Sequence, residues 1–173
     1  YFIGLDYSEA VIEASRKIAK NLGYHNMEFR SMDIRNYASD REIHLAVSLH
    51  ACDTATDEAI ALGVRNNVKA LVVVPCCHRE FLNRYSYQPF EQILKHGILK
   101  ARMADVLTDG MRALLLEALG YKVSVVEYIS PLDTPKNLMI RAEKIYPPNR
   151  KALDEYKQLK QLLDVDPSLE KLI

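Results

Sequence analysis

Lys69-Ala70-Leu71-Val72-Val73-Val74-Pro75 is an almost unbroken apolar run, closed by a proline. Valine favours a pleated backbone, and a run without polar alternation suits a central parallel strand covered on both faces. A second apolar segment, His44 to His50, precedes it, and a helical pattern from about Thr54 to Val64 separates the two. Asp57 and Glu58 stand in the first turn of that helix, where the macrodipole favours acids. Strand, helix and strand in this order predict a right-handed parallel crossover.

The same alternation extends toward the N-terminus. Tyr1 to Asp6 reads as a strand ending in an acid, and Met27 to Asp33 as another. Between them Val11, Ile12, Ala14, Ile18, Ala19 and Leu22 recur at helical spacing, with Ser8 placed to cap the helix and Gly23 to stop it. Toward the C-terminus, Cys76 to Lys100 is expected as a loop or lid with a short helix over Phe90 to His96. An amphipathic helix follows from Val106 to Leu119. Tyr121 to Ile129 and Asn137 to Ile145 are strands separated by only Ser130 to Lys136, too short for a helical crossover, so they should pair antiparallel. Asn149 to Leu163 closes the pattern as a charged helix. The expected fold class is α/β, a doubly wound Rossmann-like sheet with an antiparallel terminal hairpin. Residues 1–146 form its domain and 147–173 a C-terminal helical extension.

Composition narrows the function classes. The 173 residues are 49% hydrophobic and 27% charged, an ordinary globular balance. Lys+Arg and Asp+Glu both number 23, so no global charge marks the chain for nucleic acid or an anionic membrane. No apolar run approaches the roughly 20 residues needed to span a bilayer. Three cysteines without framework spacing, and no leader pattern, make a reducing cytoplasmic setting the expectation. The chain opens on Tyr1 already in a strand, which reads as a fragment whose first strand is missing.

A doubly wound sheet binds ligands beyond the carboxyl ends of its strands, and an acid there, such as Asp6, suits the two hydroxyls of a ribose. That chemistry serves a nicotinamide dinucleotide and S-adenosylmethionine equally. The closing hairpin discriminates. With it, the sequence from Tyr1 to Ile145 resembles a class I S-adenosylmethionine-dependent methyltransferase entered at its second strand. The resemblance implies that Asp6 holds the ribose, that Met32 lies on the adenine and that Asp33 meets the adenine amino group. The glycine-rich loop that would cradle the rest of the cofactor is absent, so weak cofactor binding is expected.

A more specific resemblance lies in Leu49-His50-Ala51-Cys52-Asp53-Thr54-Ala55-Thr56-Asp57 and Pro75-Cys76-Cys77-His78-Arg79. These segments look like the branch that includes tRNA acceptor-stem ribose methyltransferases and the methyltransferase domain of a glutathione-S-transferase-C-terminal-domain-containing protein. Asp53 stands where that pattern has glycine, and Leu49 where the tRNA enzymes have lysine. The resemblance implies cofactor contacts from Leu49, His50 and Ala51, and acceptor contacts from Asp53, Cys77, His78 and Tyr85. RNA is then the leading methyl acceptor.

His50 and His78 directly follow apolar strands, so both should reach a cleft rim, where an imidazole can take a proton from an attacking hydroxyl or amine. They are the candidate catalytic residues. Tyr85, Tyr87 and Phe90 suit base stacking, with Arg79, Arg84, Lys95 and Lys100 nearby in sequence. Cys52, Cys76 and Cys77 lack the spacing of a metal site and are expected as small buried hydrophobes, with no metal bound. Adjacent residues on an extended segment point apart, which also disfavours a Cys77-His78 nucleophilic pair. Two further readings stay open: a nicotinamide-dependent oxidoreductase, and a catalytically silent domain that binds a partner through its tail helix.

Overall fold

A computed structural model describes every residue from Tyr1 to Ile173, in two compact units, Tyr1–Arg41 and Glu42–Ile173. The C-terminal helices fall within the second unit.

The first unit pairs β1 (Phe2–Asp6) with β2 (Met27–Ser31) in parallel, and α1 (Glu9–Asn21) connects them. Ile12 and Ala19 form the buried stripe of α1, and Arg16 donates to the Phe29 carbonyl at 2.8 Å, fastening the helix to β2. Ser8 occupies the N-cap, though its hydroxyl makes no capping bond. Gly23 follows the helix at φ +74°, the left-handed stop expected of a glycine there.

The second unit is a four-stranded sheet in the order β3 (Leu45–Leu49), β4 (Ala70–Val74), β6 (Leu138–Lys144), β5 (Tyr121–Glu127). β3 and β4 are parallel in the register Leu45 to Ala70, and β6 runs antiparallel to both β4 and β5. β4 is thus central, with a parallel neighbour on one side only. The helices are α2 (Thr54–Arg65), α3 (Arg79–Leu82), α4 (Glu91–Leu94), α5 (Gly97–Ala118), α6 (Arg150–Leu163) and α7 (Ser168–Leu172).

Leu71 and Val73 of β4, with Ile140 and Ala142 of β6, enter one core with Ile60, Leu115, Leu116, Tyr156 and Leu169. Burying each large apolar side chain contributes roughly 1.5–3 kcal/mol, so this layer supplies much of the driving force of the unit. On β3, by contrast, Leu45, Val47 and Leu49 are exposed, so the sheet is not covered on both faces along its length as the apolar runs suggest. Gly120, at φ +93°, lets the chain turn into β5, and a Cβ there would meet the Tyr146 carbonyl at 2.3 Å.

The expected lid is mostly exposed but anchored at its start: Phe81, within the short α3, and Tyr85 are buried. α5 starts nine residues before the expected Val106, its first amides bonding to the His96 carbonyl. Its opening turns carry exposed Ile98 and Leu99, so no buried stripe reveals them in sequence.

Candidate functional site

In the first unit, three of the expected residues sit at the carboxyl ends of the paired strands. Asp6 ends β1, and its Oδ1 accepts the Ser8 amide at 2.8 Å, while its Oδ2 bonds to no other protein group. The Met32 amide donates to the Asp6 carbonyl at 2.9 Å, carrying the β1–β2 ladder one step beyond β2 and fixing the two residues side by side. Asp33 caps a short 3₁₀ turn, Ile34–Asn36, by accepting the Arg35 amide at 2.8 Å. The Arg35 guanidinium also bonds to both Asp33 oxygens, and these bonds hold the carboxyl down at about 2, well below its ordinary range. Asp6 thus accepts one backbone amide, whereas Asp33 is firmly ionised and shared with Arg35.

In the second unit the loops after β3 and β4 carry the rest. The His50 amide donates to the Val74 carbonyl at 3.0 Å, and the residue adopts φ 59°, turning its ring out of the sheet. Its exposed Nε2 lies 3.2 Å from the Tyr128 hydroxyl, with the rings edge to face at a centroid distance of 6.5 Å. Tyr128 follows β5 and was not singled out from the sequence; its only signal was an aromatic at the exposed end of a strand. Leu49 is exposed, and the Ala51 carbonyl accepts the Thr56 hydroxyl at 2.6 Å.

Asp53 explains its own departure from glycine. It has φ 53° and ψ −121°, and a bond of 3.1 Å from the Ala55 amide to the Cys52 carbonyl closes the turn around it. This is the first central position of a type II′ turn, where glycine is normal. An aspartate is retained because its Oδ1 accepts the amides of Arg79 and Glu80 at 3.0 and 3.1 Å, capping α3 and strapping the two loops together. Holding a non-glycine residue there costs about 1–3 kcal/mol, which bonds of this charge-assisted kind offset. The Asp53 carboxylate thus has a structural task in this turn.

Two further expectations are corrected. His78 is buried, with Nε2 2.9 Å from Asp109 and Nδ1 3.1 Å from Asp105, and Lys136 also bonds to Asp105. An imidazole enclosed by two carboxylates on α5 anchors the loop after β4 and does not reach a cleft rim. Tyr85 is buried as well and donates to the Lys100 carbonyl at 2.9 Å, so its ring is unavailable for stacking. Phe90, half-exposed and edge to face with Tyr87 at 4.9 Å, remains accessible.

Asp57 stands in the first turn of α2 as expected and also pairs with Arg112. Their side chains are both 2% exposed, and Arg112 also bonds to Asp109 and to the Asp53 carbonyl. Burial opposes the guanidinium charge, but the bonds to Asp57 and Asp109 outweigh it and raise its pKa above the ordinary value.

The cysteines are not the buried hydrophobes expected: Cys52 is exposed, and Cys76 and Cys77 are partly exposed. Desolvation, then the neighbouring Cys52 and Cys77 thiols, pushes the Cys76 thiol up to about 12.

Residues 1–84 match the model of a protein family described as Methyltransferase domain. The fold is similar to that of an rRNA methylase from Streptococcus thermophilus, with 14% identity and a TM-score of 0.52 over 83% of this chain and 72% of that one. It is also similar to the 23S rRNA methyltransferase ErmE, with 12% identity and a TM-score of 0.54 over 92% of this chain and 59% of that one. At such identities the likeness is one of fold. No curated protein matches in sequence.

Proposed function

We propose that this enzyme, a methyltransferase, draws its methyl group from S-adenosylmethionine and passes it to RNA. The observation that carries the cofactor reading is the Asp6–Met32 pair. A carboxylate and a thioether side chain are fixed together by a 2.9 Å backbone bond at the ends of two parallel strands. That donor set fits an adenosyl group, since an ionised carboxylate accepts from both ribose hydroxyls and a polarisable side chain lies well against an adenine face.

When bound, the cofactor would supply an activated methyl to an acceptor oxygen or nitrogen. Asp6 would hold its ribose, Met32 would pack on its base and Asp33 would accept from its amino group. Within the larger unit, the Tyr128 hydroxyl orients the His50 imidazole, the group there suited to take a proton from an attacking hydroxyl or amine. Holding reactants in line is the larger part of the task, since the transfer itself is downhill. The fold neighbours named as rRNA methylases and the His50-to-Asp57 segment both favour RNA as acceptor.

The test is transfer of radiolabelled methyl from S-adenosylmethionine to total RNA, cellular protein and small-molecule extracts by the whole protein. Label released by ribonuclease is expected. Label confined to protein or small molecules sinks the RNA acceptor. Thermal stabilisation by NADH but not by S-adenosylhomocysteine sinks the cofactor.

A further inference from the structure

The Sγ atoms of Cys52, Cys76 and Cys77 all lie within 4.8 Å of one another, and the Cys52–Cys76 and Cys76–Cys77 separations are 3.7 and 3.8 Å. Cys76 and Cys77 are neighbours in sequence, yet their thiols converge, because β4 has ended at Val74 and strand alternation no longer governs them. The zinc–thiolate bond is about 2.3 Å in a tetrahedral site, which puts ligand sulfurs roughly 3.8 Å apart. Two of the three edges already have that length.

We propose that Cys52, Cys76 and Cys77 bind a thiophilic divalent cation, zinc in the first place, as three thiolates with the fourth coordination position open to solvent. Three S–H bonds give up their protons to water as three metal–sulfur bonds form, and no electron moves. Soft thiolates select such ions over magnesium or calcium.

The surrounding loops are built to keep this geometry. Cys52 immediately precedes the II′ turn at Asp53, and the Asp53 carboxylate grips the amides of Arg79 and Glu80, just beyond the cysteine pair. His78, between Cys77 and Arg79, is fastened to α5 through Asp105 and Asp109. The two loops carrying the thiols are thus cross-braced by bonds that do not involve sulfur, so the ligands stand preorganised. A disulfide accounts for the cluster less well. It joins two sulfurs at about 2.05 Å, and Cys76 has two neighbours at nearly equal distance, so either pairing strands the third thiol. Cys52 is exposed, which gives an ion access and leaves room for a water as fourth ligand. All of these residues lie within Glu42–Ile173, and the inference stands independently of the methyl-transfer reading.

The experiment is titration of the fully reduced whole protein with Co²⁺, followed by its thiolate-to-metal charge-transfer absorption. One equivalent bound with a tetrahedral spectrum, displaced by Zn²⁺, is expected. Cys52→Ser, at an exposed position, should keep the far-ultraviolet circular dichroism. It should weaken Co²⁺ binding by more than the ~10–100-fold that loss of an outer partner costs at a metal site. Absence of the charge-transfer band overturns the proposal, as does unchanged affinity in Cys52→Ser. So does a mass lower by two hydrogens that persists under reductant with metal in excess, because that reports a Cys52–Cys76 disulfide instead.

Discussion

Arg112 grips Asp57 through two parallel bonds, Nε to Oδ1 at 2.7 Å and Nη2 to Oδ2 at 2.8 Å, with both side chains almost wholly buried. Removing Arg112 strands the buried Asp57 carboxylate, so Arg112→Ala should cost about 3–5 kcal/mol. Asp57→Ala leaves Arg112 its bonds to Asp109 and the Asp53 carbonyl and should cost less. Replacing both by apolar residues of similar volume should cost less than Arg112→Ala. Urea denaturation of the three variants checks this, and a double variant weaker than both singles refutes the account.

Asp53 allows backbone strain and hydrogen bonding to be separated. Asp53→Gly relieves the positive φ but loses the bonds to Arg79 and Glu80, whereas Asp53→Ala loses the bonds and keeps the strain. The alanine variant should be less stable than the glycine variant by about 1 kcal/mol or more. Equal denaturation midpoints would mean that the turn imposes no strain.

Asp33 should stay ionised to unusually low pH. The Arg35 bonds depress its folded-state pKa to about 2 from 3.8, so its contribution to the folded state is present above the unfolded value and lost only as pH falls through about 2. Carboxyl-carbon NMR titration should place its midpoint near 2. Arg35→Ala should move it back toward the ordinary range, and an unmoved midpoint would discount the guanidinium as the cause.

If Asp6 holds a ribose, Asp6→Asn keeps one acceptor and Asp6→Ala none. Bonds to a charged group contribute roughly 1.5–3 kcal/mol, so Asp6→Ala should weaken S-adenosylhomocysteine binding about 10–100-fold, with Asp6→Asn between it and the parent. Calorimetry reads the series directly, and equal affinities across it remove the ribose role.

The proton-transfer reading predicts a split between His50 and Tyr128. His50→Gln should lower kcat by about 10²–10⁴-fold. Tyr128→Phe, which loses only the orienting bond of 3.2 Å, should lower kcat less and alter the pH profile with KM little changed. A Tyr128→Phe enzyme with an unaltered pH profile removes Tyr128 from the site.

Much of the frame was legible because it is local. Lys69 to Pro75 reads as a strand without help, and Gly23 marks its helix end through one dihedral angle. The polar network was not legible, since Asp57 and Arg112 stand 55 residues apart and nothing in either neighbourhood announces the other. His78 illustrates the cost: its position after a strand suggested a rim, but the carboxylates enclosing it, Asp105 and Asp109, come from α5, and the Asp109 partner lies 31 residues along the chain. The thiol cluster was hidden for a related reason: Cys52 stands 24 residues before Cys76, so the three cysteines show no ligand spacing.

Glu80 accepts the Ser168 amide at 2.7 Å, and Leu169 beside it is only 2% exposed within the core of the larger unit. Leu169 thus completes a layer begun by β3 and β4 far earlier in the chain, and until it docks the half-built sheet keeps its inner face unfilled. Closure of this unit is therefore a long-range step, and the species before it carries the exposed apolar surface a chaperone would meet.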